Sequence, residues 1–197
     1  MSLEQKTSHE ASLDTVKFIR LFYVRLKTQG VKATFLWLQN LFNRLILDQP
    51  IRRVCEVTPQ LFVGAQFHRR GWRVLKSWGI SAVIDLRVEF DDRSLGIDLG
   101  RYLYIPTEDD HVPTLDELKQ GVDFITDEIA HGGKVYIHCG SGVGRAPTLA
   151  AAYLAARGST LEAAWQLIRA ARPFIRPTRV QVEQLAKFAA SLQEPVK

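Results

Sequence analysis

The stretch His138-Cys139-Gly140-Ser141-Gly142-Val143-Gly144-Arg145 concentrates more chemistry than any other part of the chain. A thiol and a guanidinium stand in the pattern Cys-x5-Arg, with Gly140, Gly142 and Gly144 alternating between them. Glycines at this density let a backbone curl until successive N–H groups point inward as an anion nest. Such a nest favours thiolate over thiol, and its dipoles suit a phosphate dianion. Arg145 adds a planar fork that matches two phosphate oxygens. The pattern therefore fits a phosphate cradle made of Gly140, Ser141, Gly142, Val143, Gly144 and Arg145, with Cys139 as a nucleophile beneath the phosphorus and His138 in support. The second cysteine, Cys55, reads as a packed thiol. No second Cys/His pair lies at ligand spacing, so neither a metal nor an organic cofactor is expected.

A strand must deliver Cys139 and a helix must receive Arg145. Lys134–His138 is a short apolar run suited to a buried strand, and Arg145–Ala156 is an alanine-rich helix that stops at Gly158. Pro147 falls in that helix's first turn, where a missing N–H costs little. Further strands are expected at Leu61–Val63, Ala82–Leu86 and Tyr102–Ile105. Further helices are expected at Trp72–Trp78, Leu115–Ile129 with Thr114 as N-cap, Thr160–Ala171 and Thr178–Leu192. Strands alternating with helices give an α/β fold, a mostly parallel central sheet flanked by helices.

With those residues in place, the chain resembles the cysteine-dependent protein tyrosine and dual-specificity phosphatases, whose signature Cys-x5-Arg preceded by His is similar to 138–145. The resemblance extends over roughly 55–192. Rhodaneses carry a similar cysteine loop, but His138 and the position of Arg145 fit the phosphatases better. The segment Ile105-Pro106-Thr107-Glu108-Asp109-Asp110 resembles the family's I-P-x-x-D loop, which implies Asp109 as general acid, with Asp110 beside it as the alternative. Asp85 and Arg87 resemble the family's V-I-D-L-R strand end and are expected to be structural. Gln181 follows an Arg-Pro-Thr segment and is expected to be an ordinary exposed helical residue. Val112-Pro113-Thr114-Leu115 is similar to mitochondrial phosphatidylglycerophosphate phosphatases and bacterial relatives. The resemblance implies hydrolysis of phosphate monoesters through a phosphocysteine intermediate, on phosphotyrosine, phosphoserine or phosphothreonine protein or on a phospholipid head group. The cradle holds no lysine, which disfavours head groups with several phosphates. Ala146 stands where most of the family has Ser or Thr, as in the Arg-Ala-Pro of the phosphatases of regenerating liver. That change implies slow turnover, and its extreme is a phosphate-binding module with little turnover. A sulfurtransferase is the remaining alternative.

The chain of 197 residues has 46% hydrophobic and 24% charged residues, ordinary for one globular domain with an extension. Its net charge of +5 is unevenly placed. Thr15–Leu47 holds six basic residues and no acid, while the remainder has 20 basic and 21 acidic residues. Residues 1–12 read as disordered. Residues 13–49 read as a basic amphipathic extension of two helices, 13–28 and 31–47, separated by Gly30. Residues 50–192 read as the phosphatase-like domain. The extension is suited either to docking on the domain or to peripheral contact with an anionic membrane through 13–47, and in both cases small soluble substrates should turn over without it. No nucleic acid is expected. Two cysteines and a polar Met1–Glu10 point to a reducing, cytoplasmic setting, with a membrane surface as the further possibility.

Overall fold

The computed structural model describes residues 3–192, with side chains from Val16 onward. Four parallel strands form the centre: β1 (Leu61–Ala65), β2 (Ala82–Arg87), β3 (Arg101–Thr107) and β4 (Val135–Cys139). Their order across the sheet is β1-β4-β2-β3. The helices are α1 (Leu3–Phe42), α2 (Arg69–Ser77), α3 (Leu115–Ala130), α4 (Arg145–Ala156), α5 (Leu161–Ala171) and α6 (Arg179–Ser191). A π-helical turn, Asn43–Leu47, prolongs α1.

Period-two alternation in the strands divides the core. Leu61, Val63, Ile84, Val135 and Ile137 face a layer of α3, α4, α5 and α6, where they meet Leu118, Leu149, Ile168 and Leu185. Phe62, Val83 and Tyr136 face the other way, onto Trp72 and Leu75 of α2 and Trp37 of α1. Both faces of β2 and β4 are thus covered, which is why their sequences are continuous apolar runs. Thr114, Thr160 and Thr178 each cap a helix by accepting a backbone N–H, and Thr114 and Thr178 form full capping boxes with Glu117 and Gln181.

The extension departs from expectation at its start. Helix already runs from Leu3, where residues 1–12 read as disordered; residues 1–2 lie outside the described part. The two expected helices meet at a kink at Gly30, as the sequence suggested, and the φ of 79° there lies in the region that glycine adopts without strain. The extension docks on the domain. Arg25 donates to the Phe174 carbonyl at 2.9 Å, Gln29 donates to the Ile175 carbonyl at 2.9 Å, and Trp37 is buried. Among the described residues, no helix is long and apolar enough to cross a membrane.

Candidate active site

The sheet's central strand ends on the thiol. In register, Ala65 of β1 pairs with Cys139 and Gly64 with His138, while Asp85 of β2 pairs with His138 from the other side. Cys139 is buried at the last position of β4, and Arg145 opens α4 six residues on. Between them the backbone turns at Gly142, whose φ is 68°. A side chain at Gly142 would collide with the carbonyl of Gly64, so this glycine is required both for its conformation and for a close backbone approach.

Buried polar groups brace the loop. Arg172 is fully buried and donates Nε to the Gly142 carbonyl at 2.6 Å, Nη2 to the Ser141 carbonyl at 3.1 Å and Nη1 to the Val54 carbonyl at 2.7 Å. Its plane also lies 4.7 Å from the Phe174 ring centroid. Cys55 sits 4.0 Å from the same guanidinium, and burial pushes its thiol up despite that cation. It is a packed thiol, as its sequence context suggested. His138 lies buried between Asp85 and Asp92, at 3.8 and 3.2 Å, and stacks on Tyr136 at 5.7 Å. Arg87 closes this group by pairing with Asp85 and Asp92. Arg87 also donates to Gln66 after β1 at 2.8 Å, so Asp85 and Arg87 anchor the end of β2 to the Asp92 turn and to the segment after β1, a structural role as expected of them. Asp85, Asp92 and His138 lie close enough together to hold a metal ion. Arg87 already supplies the compensating cation there, so the set does not fit a metal.

Arg145 collects the rest of the site. Its guanidinium pairs with both oxygens of Glu89, at 2.9 and 3.0 Å, and donates to the Thr107 carbonyl at 2.6 Å. Asp109 reaches it at 2.9 Å. Burial opposes the charge on Arg145, but the Glu89 hydrogen bonds and the attraction of Cys139 and Asp109 outweigh it, and its pKa is raised. The same contact holds the Glu89 carboxyl below its usual range. Of the two adjacent acids, Asp109 is the one on Arg145. Asp110 has a left-handed backbone, φ 62°, and its carbonyl accepts the Thr178 hydroxyl at 3.0 Å. Ala146 is fully buried in the first turn of α4, where it offers a methyl group and no donor.

Two expectations are corrected here. Gln181 is fully buried rather than exposed; it donates to the His111 carbonyl at 2.7 Å, and a Cβ on Gly144 would press on its amide. It therefore joins the acid segment to the phosphate loop. The extension, which sequence reading kept apart from the chemistry, sends Arg44 to the carbonyl of Gly140. Glu89, Asp92 and Arg172 went unnoticed in the sequence, and Arg44 was read only as one of the extension's six basic residues. Only Arg172-Pro173, a helix stop followed by a proline, marks one of them locally.

The dual specificity phosphatase catalytic domain family matches residues 61–191. The chain is 28% identical over 142 residues to human dual specificity protein phosphatase 1 and 30% identical over 135 residues to human dual specificity protein phosphatase 2. These alignments cover 71% and 68% of this chain but only 38% and 42% of the relatives, so the chain spans less than half of their length. Among solved structures, PTPMT1 is similar with a TM-score of 0.63 and 28% identity, covering 70% of this chain and 94% of that one. PTPMT1 in complex with PI(5)P gives 0.64 and 25%, and a human tyrosine phosphatase-like serine/threonine/tyrosine-interacting protein gives 0.62 and 25%.

Proposed function

The chain belongs to the dual specificity phosphatase family, and on that premise we propose that it hydrolyses phosphate monoesters through a cysteinyl-phosphate intermediate on Cys139. The observation that carries the reading is the convergence on one guanidinium: Arg145 lies six residues after Cys139 and 2.9 Å from Asp109. In the first step the Cys139 thiolate attacks phosphorus, the P–O bond to the alcohol breaks, and Asp109 gives its proton to the departing oxygen. In the second step Asp109 takes a proton from water, the water oxygen attacks phosphorus, and the S–P bond breaks to return thiolate and inorganic phosphate. Arg145 and the loop N–H groups hold the equatorial oxygens throughout. His138, packed between the Trp72 and Tyr136 rings, positions the end of β4.

For the substrate, the reading extends to a phosphoprotein or a phospholipid head group. The second is favoured by the similarity to PTPMT1, a protein solved with PI(5)P. A cytoplasmic setting and peripheral contact with an anionic membrane belong to the same proposal. A phosphate-binding module with little turnover is the second reading, and the buried methyl of Ala146 is the observation in its favour. The deciding experiment is hydrolysis of p-nitrophenyl phosphate by the parent chain and by Cys139→Ser. The proposal expects a loss of at least roughly 10³-fold in the variant with phosphate binding retained. A Ser variant near the parent rate would overturn the mechanism, and a parent that binds phosphate without turnover would establish the module.

A further inference from the structure

Apart from Arg145, the phosphate loop has no cation of its own, yet four arginines line a cleft beside it. The cavity measures about 770 Å³. One wall is Ser141 and Val143 of the loop with Asp110 of the acid segment; another is Arg176 in the turn before α6 with Arg179 at the start of that helix; the extension closes the third with Arg25 and Arg44. Asp110 is the single acid among the lining residues.

Two of the arginines, Arg25 and Arg44, are held in place by packing, while Arg176 and Arg179 are exposed and Arg179 pairs with Glu183 at 2.6 Å. Arg44 is half-buried and donates to the carbonyl of Gly140, the residue after Cys139. Arg25 is 3% exposed, stacks 4.7 Å from the Trp37 ring centroid and keeps its Nε without a hydrogen-bond partner. Its pKa is lowered to about 10, by burial and then by the charge of Arg176. Holding the buried Arg25 and the half-buried Arg44 beside Arg176, with Asp110 the one acid lining the cleft, costs free energy unless an anion joins them. The extension's remaining contribution to the cleft is apolar, from Phe18, Leu21, Trp37 and Leu41.

We infer that this cleft is a second substrate subsite, formed by the extension, that takes an additional anionic group on the alcohol portion of the phosphate monoester held over Cys139. Arg44 and Arg176 meet the second anion, and the apolar stem between the two anions lies along Leu21, Trp37 and Leu41. The absence of a lysine in the loop had disfavoured substrates with more than one phosphate; the cation missing from the loop arrives instead from a segment 96 residues away. With Arg25 buried and Arg44 turned onto the Gly140 carbonyl, both are poorly placed to meet a membrane surface, which separates this role from interfacial binding. The inference rests on the phosphatase reading, since the first phosphate is the one over Cys139.

The test compares hexyl phosphate with hexane-1,6-diyl bisphosphate, using the full chain and phosphate release as readout. The parent should favour the bisphosphate in kcat/KM by about tenfold beyond the doubling that two equivalent phosphates give, the size of one charge-assisted hydrogen bond. Arg44→Met and Arg176→Met should each draw that ratio towards the statistical value. Arg44→Lys should keep part of it, and Lys119→Gln, on the exposed face of α3, should keep all of it. A parent ratio at the statistical value, or one that both Met variants leave intact, would overturn the subsite while the phosphatase reading stood. Should the chain prove not to turn over, calorimetric titration of Cys139→Ser with both compounds decides the matter. Tighter binding of the bisphosphate, weakened by Arg44→Met, supports the subsite; equal affinities refute it.

Discussion

The loop from Cys139 to Arg145 and the segment from Glu108 to His111 meet at one guanidinium, but they are held in opposite ways. The loop is clamped between a strand and a helix, and carbonyls along it accept from Arg44 and Arg172. The acid segment belongs to no helix or strand, and the Asp109 side chain is 77% exposed. Its anchors are backbone carbonyls: Gln181 holds that of His111 and the Thr178 hydroxyl holds that of Asp110. On the proposed mechanism the contrast has a reason. An anion nest works only if its N–H groups are already aimed before charge develops. A general acid must instead leave Arg145 and find the departing oxygen, so its side chain is left free while its backbone is fixed.

The sharpest way to break the rigid half is Gly142→Ala. The position needs a positive φ and has no room for a Cβ against Gly64, so the loop must open. Turnover of p-nitrophenyl phosphate should fall by roughly 10³-fold, as far as loss of the nucleophile itself takes it. Near-parent activity in this variant would mean that the cradle tolerates rearrangement.

The exposed half should respond to leaving group rather than to geometry. Asp109→Ala is expected to cost roughly 10²-fold with a phenyl phosphate and far less with p-nitrophenyl phosphate, whose leaving oxygen needs little protonation. A larger loss in Asp110→Ala than in Asp109→Ala would transfer the acid's role one residue along the chain.

Arg172→Met tests the bracing behind the loop. Three buried carbonyls lose their donor, so urea unfolding should register about 3 kcal/mol of lost stability. An unchanged unfolding midpoint would mean that the loop is held by its glycines and flanking elements alone. The smallest effect is expected from Ala146→Ser. Breakdown of the cysteinyl phosphate places charge on sulfur, which a hydroxyl would stabilise and a methyl group does not. Rapid-quench kinetics should show a product burst in the parent. In the Ser variant the steady rate should rise several-fold, with the burst rate little changed. A parent without a burst would show that this step does not limit turnover.

What could be read from the sequence was local. Glycine spacing announced the turn after Cys139, threonines announced three helix starts, and apolar runs announced both central strands. The predicted range of α4, Arg145–Ala156, coincides with the observed one. Each of these depends on backbone preferences that act over a few residues, so a single sequence carries them. Tertiary structure alone decided which distant polar side chains close around the loop. Glu89 on Arg145, Arg172 on Gly142, Gln181 beside Gly144 and Arg44 on Gly140 span from 30 to 96 positions along the chain in the contacts that record their reach. Long side chains of this kind carry no periodic signature. Their partners are fixed only when the two layers on the sheet have packed and the remaining buried carbonyls and charges must each find a counterpart. For the same reason the sequence left the basic extension open to docking on the domain or to a membrane surface, and packing made it a wall of the cleft.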